Sequence, residues 1–81
     1  MVMIMYVHLT QMKEGEEGVV VDIHGGIGAR QKLIGMGITP GTRIRVLKSS
    51  PPGPIIIAVG SSRIAIGRGI ADKIIVRREL Q

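Results

Sequence analysis

Isoleucine and valine dominate the apolar content of this chain, with 14 and 8 of 81 residues, against four leucines, one tyrosine and no phenylalanine or tryptophan. Branching at Cβ stiffens the first side-chain torsion and suits the pleated, half-buried surface of a strand. The core is therefore expected to be aliphatic and the domain small and mostly β. The length allows one domain. It excludes a two-lobed enzyme, a dinucleotide-binding fold with a substrate domain, and a (β/α)8 barrel. Cysteine is absent, so no disulfide or thiolate-bound metal supports the core. That absence fits a reducing cytosol.

Local signals set the order of elements. Residues 1–7 are apolar but have no basic lead and no small-residue cleavage site, and they are far short of the ~20 residues that span a bilayer. They read as a lead-in to the first strand, with Met1, Met3 and Met5 as adaptable packing rather than soft metal ligands. Residues 7–12 are expected to form a short first strand or extended arm, 13–18 a polar turn and 19–24 a second strand. Ala29, Leu33 and Met36 recur at i, i+4 and i+7 and mark one apolar stripe on a helix over residues 29–36, with Arg30 and Lys32 off the stripe. Such a helix has about two turns and must be held by packing. Gly37 suits a left-handed cap, and Thr39-Pro40-Gly41-Thr42 suits a type II turn.

Alternation after that turn sends Ile44, Val46 and Lys48 to one side and Arg43, Arg45 and Leu47 to the other, with the arginines outside. Residues 49–54 form a stiff proline-rich loop. Residues 55–59 are a strand buried on both faces or lying at an interface. Residues 63–66 are another strand, 67–72 a tight turn with a single helical loop, 74–77 the closing strand and 78–81 a polar tail. Five or six short strands, with turn signals every ~8–12 residues, point to a small sandwich or barrel.

The formal charge of +5 and the pI near 10.5 suggest an anionic partner: nucleic acid, a membrane surface or an acidic protein face. Gly26-Ile27-Gly28 follows a strand and opens a helix, but Gln31 stands where a dinucleotide fingerprint needs its third glycine. His8 and His24 could meet across a sheet, joined by Glu14, Glu16, Glu17 or Asp22, yet two edge histidines beside a solvated acidic turn describe them better. No serine lies near a histidine in a recognisable arrangement and no carboxylate pair flanks a cleft, so no enzyme is expected. A basic small β-barrel that binds nucleic acid through Arg43, Arg45, Arg63, Arg68, Lys73 and Arg77 is the alternative function. Only Tyr6 offers a stacking ring, so specific nucleic-acid binding is not expected. The same shortage argues against proline-rich peptide recognition. Weak self-association through residues 55–59 and the apolar N-terminus is a third reading.

The run from Lys32 through Leu33, Met36, Gly37, Ile38, Pro40, Gly41 and Ile44 to Val46 resembles the signature of the FeoA family, small proteins of ferrous-iron uptake. Residues 15–23 are similar to that family's opening turn and strand, and residues 51–54, 64–66 and 71–76 to its later segments. The resemblance covers about residues 7–77. Lys32 replaces a usual Arg, Gly35 a bulkier or polar residue, and Ile66 a Leu. The resemblance implies an SH3-like barrel of five to six strands, with a short helix inserted after the second. It further implies a non-catalytic cytosolic accessory; from the residues themselves no cofactor and no metal site is expected. Such a protein acts by contact with a FeoB-like transporter bearing a cytosolic GTP-binding domain, and meets the membrane only through that partner. The expected contact surface is the helix and the following turn, with Arg30, Lys32, Gly37, Thr39 and Pro40. FeoA-like domains also end iron-dependent repressors, but no helix-turn-helix segment is present here.

Overall fold

The computed structural model describes residues 3–80, with side chains through residue 78. Met1 of the alternating methionines and Gln81 of the tail lie outside the described residues. Six strands form one antiparallel sheet: β1 (Met3–His8), β2 (Glu17–Ile23), β3 (Arg43–Ser49), β4 (Ile55–Val59), β5 (Ser62–Ile66) and β6 (Ile74–Leu80). Helix α1 (Ile27–Gly35) follows β2, and the single turn α2 (Arg68–Ala71) joins β5 to β6. The strand order is β1-β6-β2-β3-β4-β5. The last strand in sequence thus lies between the first two.

The β-branched residues fill the inner face. Val7, Val76 and Val20 stand opposite one another on β1, β6 and β2 and are buried, as are Ile44, Val46, Ile55, Ile57, Ile66 and Ile74. Each such side chain contributes roughly 1.5–3 kcal/mol when taken out of water. Two β-bulges adjust the alternation. One lies between Val20 and Asp22 and lets Val20 and Ile23, three residues apart, both face inward. The other lies between Val46 and Lys48. It turns Lys48 to solvent, although simple alternation placed it on the core side with Ile44 and Val46.

Both ends of the chain differ from expectation. The first strand is Met3–His8 rather than residues 7–12, and Leu9–Gln11 form a 3-10 turn. The reason is packing: Leu9 and Met12 are both buried, and residues three apart share a side in a 3-10 turn but not in a strand. Gln11 Oε1 accepts the His8 backbone N–H at 2.8 Å and holds that turn. Residues 78–80, expected as a tail, continue β6 against β1. Arg78 Nη1 donates to both Glu16 carboxylate oxygens at 3.0 and 3.1 Å, in a half-buried pair. Glu16 Oε1 also accepts the Lys13 N–H at 2.6 Å, so this one carboxylate joins the β1–β2 connection to β6.

β4 is internal, paired to β3 and β5. Ile55 and Ile57 are buried while Ile56, Ala58 and Val59 are half-buried. Residues 55–59 therefore have no free strand edge for a second copy. The apolar edge strand is β1, with Met3, Ile4, Met5 and Tyr6 exposed.

β2 and β6 approach most tightly at Gly18, where a Cβ would overlap Val76 Cγ1 and come within 2.7 Å of the Arg77 carbonyl oxygen. A backbone oxygen in a paired strand cannot move aside cheaply. Gly18→Ala is therefore expected to destabilise the fold by about 1–3 kcal/mol in urea unfolding. Gly28, in α1 with open space around it, supplies the control: Gly28→Ala is expected to stabilise by up to ~1 kcal/mol.

Candidate functional site

Helix α1 starts at Ile27, two residues before the expected boundary, because Gly26 in extended conformation serves as its N-cap. The expected inner stripe is present. Leu33 is fully buried, Met36 packs against the core and Ala29 is half-buried. The helix ends in a Schellman motif: Ile38 N–H donates to the Leu33 carbonyl at 2.9 Å and Gly37 N–H to the Ile34 carbonyl at 2.9 Å. Gly37 has φ +82°, and the apolar pair Leu33 and Ile38, both fully buried, closes the motif.

The next four residues make the expected turn. Thr42 N–H donates to the Thr39 carbonyl at 3.0 Å and Gly41 has φ +97°, as the third position of a type II turn requires. Thr42 Oγ1 accepts the Thr39 N–H at 3.1 Å and donates to the Gly37 carbonyl at 3.3 Å. The turn is also fastened to β2, through Gly41 N–H to the Val20 carbonyl at 2.7 Å and Val20 N–H to the Thr42 carbonyl at 2.8 Å.

The five residues expected at a contact surface thus occupy one continuous segment in different capacities. Arg30, Lys32 and Pro40 are exposed. Gly37 is the helix cap, and half-buried Thr39 belongs to the turn's hydroxyl network. Lys32, in the last turn of α1, is also favourably placed at the negative end of the helix dipole. Ile27 and Ile34, 75% and 56% exposed, were missed in the sequence reading. They are seven residues apart and share the outward face of α1 with Gln31. The signal was present in the sequence as two isoleucines off the Ala29–Leu33–Met36 stripe.

The other candidates are placed as follows. His8 Nδ1 lies 2.6 Å from the Asp72 carbonyl oxygen, and Thr10 Oγ1 donates to Asp72 Oδ1 at 3.0 Å. His24 Nε2 is 3.2 Å from Asp22 Oδ2. Glu14 accepts the Ser49 N–H at 3.1 Å, Glu16 is held by Arg78, and Glu17 is 3.8 Å from Arg45. Among the described residues no three His, Asp or Glu side chains are grouped as a metal ion requires.

The six basic residues do not form one patch. Arg68 is turned inward, with Nε donating to the Gly53 carbonyl at 2.9 Å and Nη2 to Ser49 Oγ at 3.1 Å, and so braces the proline-rich loop. Arg77 is half-buried. Lys73 immediately precedes β6, its carbonyl accepting the His24 N–H at 2.7 Å. Arg43, Arg45 and Arg63 remain together and exposed on the outer face of β3–β5. Gly37→Ala is expected to cost about 1–2 kcal/mol of stability, from the left-handed backbone it forces on a Cβ. Lys32→Ala is expected to cost less than ~1 kcal/mol. Thermal unfolding of the two variants separates cap from surface.

The FeoA domain family matches residues 7–78. A protein of Methanocaldococcus jannaschii named Fe(2+) transport protein A is 50% identical over 64 residues, covering 79% of this chain and 77% of that one. A crystal structure of an iron uptake regulatory protein, FeoA, is 55% identical and superposes with a TM-score of 0.87 over 94% of this chain and 100% of its own. A manganese-dependent transcriptional repressor is 25% identical with a TM-score of 0.84, over 90% of this chain and 41% of the repressor. The barrel is therefore SH3-like, as the sequence resemblance implied, and the same fold also serves as one part of a longer regulator. With a family match over nearly its whole length and 50% identity to a relative over 64 residues, the chain belongs to the FeoA family.

Proposed function

We propose that this protein is a non-catalytic cytosolic accessory of ferrous-iron transport, docking on the cytosolic GTP-binding domain of a FeoB-like transporter. Family membership and the relative named for Fe(2+) transport support the first part of this reading. The observation that carries the second is the outward face of α1. Two isoleucines lie exposed there beside Arg30, on a helix pinned rigidly to the core by Leu33 and the capped turn. Left exposed, these side chains remain in contact with water, and a protein partner that covers them gains their burial. Among the described residues no helix is long and apolar enough to cross a membrane, and in this reading the protein meets the membrane through its partner.

Calorimetric titration with the isolated GTP-binding domain tests the reading. Saturable binding is expected with a Kd no weaker than tens of micromolar, roughly −6 kcal/mol or better. Ile27→Ser or Ile34→Ser should weaken it about tenfold while leaving unfolding unchanged. No heat of binding at those concentrations, at low and physiological salt, would overturn it.

A further inference from the structure

The outer face of β3–β5 carries a basic trough separate from the α1 surface. Two adjoining depressions of ≈ 390 Å³ and ≈ 370 Å³ share Arg45, Ala58 and Gly60. Ser61, Ser62 and Arg63 border the first, Glu17 and Arg43 the second. The register explains the shape. Arg45 on β3 stands opposite Ala58 on β4, which stands opposite Arg63 on β5. One small side chain thus floors a channel walled by two arginines. Strand spacing sets those walls roughly 10 Å apart at Cα, and Arg43 and Arg45 repeat along β3 at about 6.8 Å.

The charge of this trough is largely uncompensated. Among the described residues the Arg43 and Arg63 side chains make no ion pair or hydrogen bond, and the carboxylate paired with Arg45 is Glu17 at 3.8 Å. We propose that the trough docks an extended acidic segment of a protein partner, with carboxylates on alternate residues. The pitch is the reason. Same-face side chains of an extended chain recur at the spacing that separates Arg43 from Arg45, while Arg63 closes the opposite wall. Glu17 at the rim already places one carboxylate beside Arg45. A nucleic acid would gain only charge here. No aromatic ring lines the trough, and Tyr6 sits on β1, separated from β3 by β6 and β2.

The test is an NMR titration of the intact, isotope-labelled protein with a peptide of alternating Glu and Thr, about ten residues long and so longer than the stretch of β3 it has to follow. Saturable shifts are expected at Arg43, Arg45, Ala58 and Gly60 through Arg63, with affinity falling as salt rises from about 50 to about 300 mM. Combined Arg45→Ala and Arg63→Ala should weaken binding about five- to tenfold, and Glu17→Gln, which frees Arg45, should tighten it about two- to threefold. Ile34→Ser should leave peptide binding unchanged, so failure of the α1 docking reading and failure of this one are separately visible. Three results would overturn the proposal: no shifts at the trough, equal binding of a peptide with the same glutamates in one block, or tighter binding of oligothymidylate at the same residues.

Discussion

Pairing of β6 between β1 and β2 is the contact on which the rest of this small barrel depends. The C-terminal strand supplies the partner for β1 and one of the two partners for β2. Val76 then sits between Val7 and Val20 at the centre of the core. The absence of a side chain at Gly18 lets the β2 and β6 backbones close over this row. The Arg78–Glu16 pair fastens β6 to the connection that leads into β2. Both chain ends are thereby built into one three-stranded unit, and the middle of the chain forms the remaining strands around it.

Around that unit the charged residues divide into two kinds. Arg68, Arg78, Glu14 and Glu16 are engaged within the fold and satisfy loop backbone or one another. They hold the proline-rich loop and the β1–β2 connection in a domain too small to bury those loops under further structure. Arg30, Lys32, Arg43, Arg45 and Arg63 point out. The outward set meets two surfaces of different chemistry, the isoleucine-bearing face of α1 and the arginine-walled trough of β3–β5. The two docking proposals rest on these two surfaces, one apolar and one basic.

Much of the local structure was legible from the residues. The Thr39–Thr42 turn, the Gly37 cap, the inward Ile44 and Val46 and the outward Arg43 and Arg45 follow from backbone chemistry within a few positions. The ordered motifs from Gly15 to Val76 carried the family. The α1 surface was only half legible. Arg30, Lys32 and Pro40 were expected at a contact surface and are exposed, whereas Ile27 and Ile34 were passed over because the stripe on the other face accounted for the helix. The six arginines and lysines read as one basic set because sequence shows charge without direction. Arg68 turned out to brace a loop from within.

Turn types, caps and the β-branched preference for strands are properties of single residues and their immediate neighbours, so they could be read along the chain. The β-bulges at Val20–Asp22 and Val46–Lys48, the 3-10 turn at Leu9 and the insertion of β6 between β1 and β2 could not. Each is a compromise between local backbone preference and the demand that distant aliphatic side chains share one dry interior. That demand exists only once the strands have come together. Pairing of β3, β4 and β5 likewise sets Arg45 and Arg63 on either side of Ala58, although the two arginines are 18 positions apart in the chain.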